Sequence, residues 1–322
     1  MALHISRINY KEKILLLFII ILIKFLNKAE EWIKYDKNPI IGNRETGSLF
    51  DPCIIQNGNL YKMYVSWRKY NVIALSTSED GINWSDLKIV LNKGNFNCWD
   101  STINRASVIM KDGTYHMWFT GQHKKTSKIG YATSSDGINF NKSDNPVLVP
   151  EYQFEENSIM NPHVIFDEEE KIYKMWYSAG EQREPDVIGY AISKNGFNWL
   201  KLKNPVFRPS DNKLHLDSFK VGGCEVHKLS KKFYLMFYIG YSNIATSSIF
   251  IAKSKNGIDN WIRSSNPIIK PTKDKFDSHA CYKPSAIFNE KLKIWMLYYN
   301  GRKNNEEYIG LATLNKYEIK IP

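Results

Sequence analysis

Ile129-Gly-Tyr-Ala-Thr-Ser-Ser-Asp-Gly-Ile-Asn-Phe140 is the stretch from which the rest of the chain can be read. It predicts a short apolar strand, a tight Asp-Gly turn and the start of a second strand. Asp-Gly supplies the positive φ angles that a two-residue hairpin needs. The phrase recurs as Ala74-Leu-Ser-Thr-Ser-Glu-Asp-Gly-Ile-Asn-Trp84, Ile188-Gly-Tyr-Ala-Ile-Ser-Lys-Asn-Gly-Phe-Asn-Trp199 and Ile251-Ala-Lys-Ser-Lys-Asn-Gly-Ile-Asp-Asn-Trp261. The turn glycines Gly81, Gly137, Gly196 and Gly257 are 56, 59 and 61 residues apart. A period of that length built only of strands points to a propeller, in which each repeat is a small sheet that buries its faces on its neighbours.

Further signatures share the period. An aromatic-rich strand occurs five times: Tyr61-Lys-Met-Tyr64, Tyr115-His-Met-Trp-Phe119, Tyr173-Lys-Met-Trp-Tyr177, Tyr234-Leu-Met-Phe-Tyr238 and Trp295-Met-Leu-Tyr-Tyr299. A short strand precedes each, such as Cys53-Ile-Ile55 or His163-Val-Ile165, and an Asn-Pro-aliphatic segment such as Asn145-Pro-Val-Leu148 ends several repeats. The pattern predicts an all-β, five-bladed propeller with four-stranded blades. The last repeat lacks a fourth strand, and Glu31-Trp-Ile-Lys-Tyr-Asp-Lys-Asn-Pro-Ile-Ile41 matches the missing piece. An N-terminal strand is therefore expected to close the ring and hide both sheet edges, giving a propeller over 31–322.

Residues 1–30 form a separate segment. Arg7, Lys11 and Lys13 precede an uninterrupted apolar run from Ile14 to Ile23. Ten residues are short for a membrane span and suit a signal-peptide core, although Ala29 follows no small-x-small cleavage pattern. Export or membrane anchoring through 14–26, at a periplasmic or cell-surface site, is the expectation, with a cytoplasmic location as the alternative. The net charge of +11 reflects lysines spread along the whole chain and comes with no nucleic-acid motif, so it is read as a solvated basic surface. Cys53, Cys98, Cys224 and Cys281 show no metal-site spacing.

In a propeller the inner-strand starts, the loops between second and third strands and the blade-to-blade connections gather on one face, here called the mouth. The Asp-Gly boxes fall on the far face and read as scaffold. Aligning the inner strands by their apolar tails makes Asp51, Arg105, Asn161, Gly223 and Lys283 equivalent, with Cys53, Ser107, His163, Glu225 and Ser285 two residues on. Structural strand starts rarely need such unlike charges converging on one axis, because burying a charge costs several kcal/mol unless it is paired or hydrated. A functional polar site is the expectation, and a self-satisfied ion-pair plug is the structural alternative. Trp99, Asp100, Asp217 and His279 in connections, and Arg68 and Arg302 in loops, add candidates at the mouth.

From Glu31 to Thr313 the chain resembles the five-bladed propeller glycosidases: glycoside hydrolase family 43 and its relatives in families 32, 68, 117 and 130. The resemblance is carried by the architecture and by Asp51-Pro52 directly after Phe50. It implies Asp51 as general base, Glu225 as general acid and Asp100 as a third carboxylate that tunes the acid, with Asp217 as its substitute. Glu225 stands in Gly-Gly-Cys-Glu-Val where family 43 has Glu-Gly-Pro, and the Asn-Asp-Pro-Asn-Gly of invertase-like enzymes is absent. Glycoside cleavage needs one carboxyl to protonate the leaving oxygen and one to activate water or attack the sugar. Arg105 and Lys283 would keep Asp51 ionised and could hold a phosphate or carboxylate of the substrate. Trp99 is a candidate sugar platform; Arg68, Asn161, His163, His279 and Arg302 are further candidate substrate contacts. No cofactor is required by this chemistry, and a structural calcium ion in the channel is allowed by the family resemblance. A phosphorylase or transferase is compatible with the same residues. The alternatives are a non-catalytic carbohydrate-binding propeller and a sialidase-like enzyme, whose far-face boxes are similar but which usually has six blades.

Overall fold

The computed structural model describes residues 31–315 and Ile319; the N-terminal apolar run and its membrane or export role lie outside the described residues. The chain opens with β1 (Ile33–Lys34), and four blades follow in order. These are β2 (Leu49–Asn57), β3 (Leu60–Trp67), β4 (Val72–Ser78) and β5 (Lys88–Leu91); then β6 (Thr102–Lys111), β7 (Thr114–His123), β8 (Thr126–Ser134) and β9 (Asn141–Lys142). Next come β10 (Ile159–Asp167), β11 (Ile172–Ala179), β12 (Val187–Ser193) and β13 (Leu200–Lys201); then β14 (Lys220–Ser230), β15 (Phe233–Tyr241), β16 (Ser247–Ser254) and β17 (Ile262–Arg263). The last blade is β18 (Ala280–Asn289), β19 (Ile294–Lys303) and β20 (Glu306–Leu314), completed by β1 on its outer edge. The ring is a five-bladed propeller of four-stranded antiparallel sheets.

Closure is as the pattern predicts. Ile33 and Lys34 pair with Thr313 and Ala312, and Ile41 bridges to Ile309. The core is divided among five apolar clusters, each shared by two adjacent blades; one joins Leu235 and Phe237 to Leu297 and Tyr299, another Tyr64 and Ile73 to Met117 and Phe119. Burial therefore holds blade to blade, and no blade has an interior of its own. Among the described residues no helix is long and apolar enough to cross a membrane.

The repeated box departs from a two-residue hairpin. The residue before the glycine does not have positive φ in any of the four boxes, and the fourth strand starts several residues later. Asp80 Oδ1 accepts the N–H groups of Ile82 and Asn83 at 2.8 Å, and Ser78 Oγ accepts that of Gly81 at 2.8 Å. The acid side chain, rather than a backbone ladder, satisfies the loop. The glycine carbonyl is left free for the neighbouring blade. Tyr64 Oη donates to Gly137 O (2.8 Å), Trp118 Nε1 to Gly196 O (2.8 Å), Trp176 Nε1 to Gly257 O (2.7 Å) and Tyr298 Oη to Gly81 O (2.9 Å). The box and the aromatic strand are thus two halves of one inter-blade fastening.

Candidate active site

Each inner strand carries a β-bulge at the same place, between Phe50 and Cys53, Asn104 and Ser107, Met160 and His163, Gly222 and Glu225, and Tyr282 and Ser285. The first bulged residue is left-handed in all five: Asp51 (φ 56°), Arg105 (58°), Asn161 (49°), Gly223 (47°) and Lys283 (44°). Four non-glycine residues held at positive φ are unusual and need support from their surroundings. For Asp51, Arg105 and Asn161 that support comes from the preceding blade, as it does for the glycine. Asn300 Oδ1 accepts the Asp51 N–H (2.6 Å), Ser66 Oγ that of Arg105 (2.8 Å), Thr120 Oγ1 that of Asn161 (3.0 Å) and Ser178 Oγ that of Gly223 (2.8 Å). Bulges re-aim side chains; here they set unlike residues at one level of the inner ring, near the mouth.

Two residues deeper, every blade places a latch. Cys53 Sγ accepts the Val108 N–H (3.3 Å), Ser107 Oγ that of Val164 (3.0 Å), Glu225 Oε1 that of Ala286 (2.7 Å) and Ser285 Oγ that of Ile54 (3.0 Å). His163 Nε2 donates to Val226 O (2.9 Å), and burial pushes its pKa down to about 4, so the ring stays neutral. Glu225 is also paired with His227 Nε2 at 2.8 Å. Burial raises the Glu225 pKa, but the hydrogen bond and charge of His227, the nearby His163 imidazole and the Ala286 N–H outweigh it and hold the carboxyl below its usual range. A proton donor needs the opposite shift. Asp51 and Glu225 thus point into different layers.

Asp100 also belongs to a repeat. A buried connection carboxylate grips a cation on the outer strand in four blades. Asp100 pairs with Lys142, Glu155 with Lys201 (2.8 Å), Asp217 with Arg263 (2.6 Å) and Asp277 with Lys34. The residue before Asp100 and Asp277 is aromatic and fills a glycine notch. A Cβ on Gly121 would lie 2.2 Å from Trp99, and one on Gly301 would lie 2.3 Å from Phe276. Trp99 stacks on Phe119 at 5.9 Å and donates Nε1 to Asp144 O (2.9 Å). This packing accounts for Trp99 and Asp100 without a ligand.

At the ring level above the latches the charges do not cancel. Asp51, 3% exposed, has Arg105 Nε 3.8 Å from Oδ2, and Ser66 Oγ donates to that oxygen at 3.2 Å. Burial nevertheless raises the Asp51 pKa; Arg105 and Lys283 pull it down and Glu307 pushes it up. Lys283 is 3% exposed and has no ion pair within 4 Å among the described residues. Asn161, 4% exposed, leaves Oδ1 without a hydrogen-bond partner. Glu307, absent from the sequence reading, joins the group from β20, where Arg68 and the Tyr282 hydroxyl both hydrogen-bond its carboxylate. Arg302 stands further round the mouth, donating Nη2 to Ala245 O (2.8 Å). His279 is exposed, with Nδ1 accepting the Asn304 N–H (2.8 Å), and takes no part in the cluster.

The residues at this level do not fit a calcium ion. Two cations, Arg105 and Lys283, stand there, His163 is latched to a carbonyl, and no three His, Cys, Asp or Glu side chains group for a metal among the described residues.

Comparison with known proteins bears on which chemistry this charged ring serves. Residues 74–257 match the family model of the glycosyl hydrolases family 32 N-terminal domain. The chain belongs to this family. It is 26% identical over 242 residues to 1,2-beta-oligomannan phosphorylase of Thermoanaerobacter sp. (strain X514), covering 72% of this chain and 75% of that protein. A putative glycosidase of Bacteroides thetaiotaomicron shares 16% identity, with a TM-score of 0.71 over 90% of this chain and 98% of that one. A structure from work on GH130-family glycoside hydrolases that target beta-1,2 mannosidic linkages in Candida mannan shares 16% identity, with a TM-score of 0.70 over 91% and 96% of the two chains. At these identities the structural likeness establishes the fold. Family membership and the phosphorylase relative make the chain an enzyme of the glycosidase and phosphorylase class.

Proposed function

We propose that the protein cleaves a glycosidic bond at the mouth end of the ring and transfers the glycosyl group to an oxygen nucleophile, with phosphate as the preferred acceptor. The observation that carries this is Lys283, a buried cation without an ion pair within 4 Å among the described residues, at one level with Asp51 and Arg105. Burying an ammonium without a contacting counter-ion is costly, and an anionic ligand would add to the charge that Asp51 supplies. In this reading Asp51 accepts the proton of the attacking phosphate hydroxyl or water. Its raised pKa suits a base working near neutrality. Arg105 and Lys283 hold the phosphate, and Arg68 pairs with Glu307, whose charge acts on Asp51.

The phosphorylase relative makes β-1,2-linked mannooligosaccharides the first substrates to try. The enzyme is incubated with them and with a wider glycoside panel, with and without inorganic phosphate. The expected result is cleavage that depends on phosphate and yields a sugar 1-phosphate. Free sugar released equally without phosphate would move the reading to hydrolysis. Failure to cleave any glycoside while still binding oligosaccharide would favour a carbohydrate-binding propeller.

A further inference from the structure

The side chains that hold the bulges differ in what else they reach. Thr120 and Ser178 each accept one backbone N–H, from Asn161 and Gly223, and make no side-chain hydrogen bond to another side chain among the described residues. Asn300 accepts the Asp51 N–H through Oδ1 and donates Nδ2 to Leu49 O (3.2 Å), so its amide is committed to backbone on both sides. Ser66 on β3, 1% exposed, is different. Its Oγ accepts the Arg105 N–H at 2.8 Å and lies 3.2 Å from Asp51 Oδ2. A serine hydroxyl has one proton, and a backbone N–H can only donate. While the Asp51 carboxyl is ionised, the Ser66 proton is therefore directed at Oδ2.

The other oxygen of Asp51 is placed differently. Oδ1 makes no hydrogen bond among the described residues. Unlike Asn161 Oδ1 it is not sealed from solvent, and the small exposed fraction of Asp51 includes it. Arg105 Nε stands 3.8 Å from Oδ2. One oxygen thus carries the hydroxyl donor and the paired guanidinium, and the other is open. The groups that face this carboxyl are Ser66 from β3, Arg105 from β6, Lys283 from β18 and Glu307 from β20, the last carrying Arg68 and Tyr282. Burial and Glu307 oppose its ionisation; Arg105, Lys283 and the Ser66 hydrogen bond favour it.

We infer that Oδ1 of Asp51 is the atom that takes the nucleophile's proton, and that Ser66 is the positioning residue that assigns it by holding Oδ2. This rests on the reading of Asp51 as the base and names the atom that does the work. The O–H bond of the phosphate or water breaks, its oxygen forms the bond to the anomeric carbon, and the proton passes to Oδ1. The electron pair of the glycosidic bond leaves with the departing oxygen, which takes a proton from water, and Asp51 returns its own proton to solvent. A proton on Oδ2 would instead stand against the Ser66 proton and the guanidinium, so the two oxygens are not interchangeable. Because Ser66 also holds the Arg105 backbone, one hydroxyl sets base and cation relative to each other across the boundary between the first two blades.

The test reads the acid limb of kcat/KM against pH for phosphate-dependent cleavage, which reports the ionisation of the base. Ser66→Ala removes a hydrogen bond to the carboxylate, so the limb should move to higher pH by about half to one unit. A misaligned base should also lower kcat on the plateau about tenfold, with KM for the oligosaccharide within about twofold of wild type, since Ser66 touches no substrate. Ser66→Thr restores the hydroxyl, and Thr120 fills the equivalent position of the next blade; the limb should return to its wild-type place. Thr120→Val removes the matching support of Asn161 but no contact to Asp51, and should leave the limb where it is. A limb unmoved in Ser66→Ala, or moved equally in Thr120→Val, overturns the assignment. Should Ser66→Ala fail to fold, Ser66→Cys keeps the bulk and offers a weaker donor; the limb must again move upward, and an unmoved limb overturns the assignment. If Asp51→Asn loses activity while Ser66→Ala keeps its acid limb, the assignment alone falls. A wild type that cleaves no glycoside takes the proposed activity with it.

Discussion

Asp51 and Glu225 occupy neighbouring positions of equivalent strands, yet their surroundings drive their carboxyls in opposite directions. The difference of two residues moves a side chain from the open level of the ring to the latch level, where Glu225 meets a backbone N–H and an imidazole. A carboxyl whose folded pKa is depressed stabilises the fold above its unfolded value, about 4.3, and that stability is lost as pH falls through the folded value. Glu225→Gln should therefore cost about 1–3 kcal/mol at neutral pH, and the difference from wild type should shrink as pH falls below the unfolded value. Denaturant melts through that fall in pH would show it. A difference constant with pH would mean that shape, not charge, makes the latch. The alignment of apolar tails was enough to place all ten ring residues in register. Which of the two levels holds the chemistry was not legible, because a bulge redirects side chains without changing residue order.

The bulge is the element that makes the site, and the fourth blade shows its packing rule by breaking it. Where Ser66, Ser178 or Asn300 supplies a small polar acceptor, the corresponding residue of β15 is Ile239, opposite Gly222. A Cβ on Gly223 would fall 2.4 Å from Ile239 Cδ1. The other four bulges hold side chains at similar φ, so crowding by Ile239 adds to the backbone cost of a side chain here. Gly223→Ala should destabilise by about 1–3 kcal/mol through overpacking, and adding Ile239→Ser should recover much of that loss. A double-mutant cycle on unfolding free energy measures it; strict additivity would remove the explanation. The tight-hairpin reading of Asp-Gly failed at this scale, since the acid side chain can satisfy a longer loop as well as a short turn can. The short fourth strands were legible in their Asn-Pro ends, where the chain rejoins the third strand through single bridges.

At the scale of the whole molecule, the fold was legible because every blade must present its neighbours with the same contacts. The period recorded those contacts as aromatic strands, boxes and the N-terminal segment that completes the last sheet. The same demand hid the locks. Asp100 and Asp217 looked like mouth carboxylates, and the repeat of Asp-Ser at Asp217-Ser218 and Asp277-Ser278 was the signal that they fasten blades. The proposed site lies where the fivefold repeat is broken: an acid, two cations and an amide stand at four equivalent points of one ring. In the proposed reaction Asp51 is the carboxyl of that ring that activates the nucleophile. The most direct measurement is kcat/KM for phosphate-dependent glycoside cleavage by wild type and Asp51→Asn, both shown to be folded by equal thermal melts. A fall of about 10²–10⁴-fold, as expected for removal of a general base, is the predicted result. A variant that cleaves as fast as wild type would contradict it.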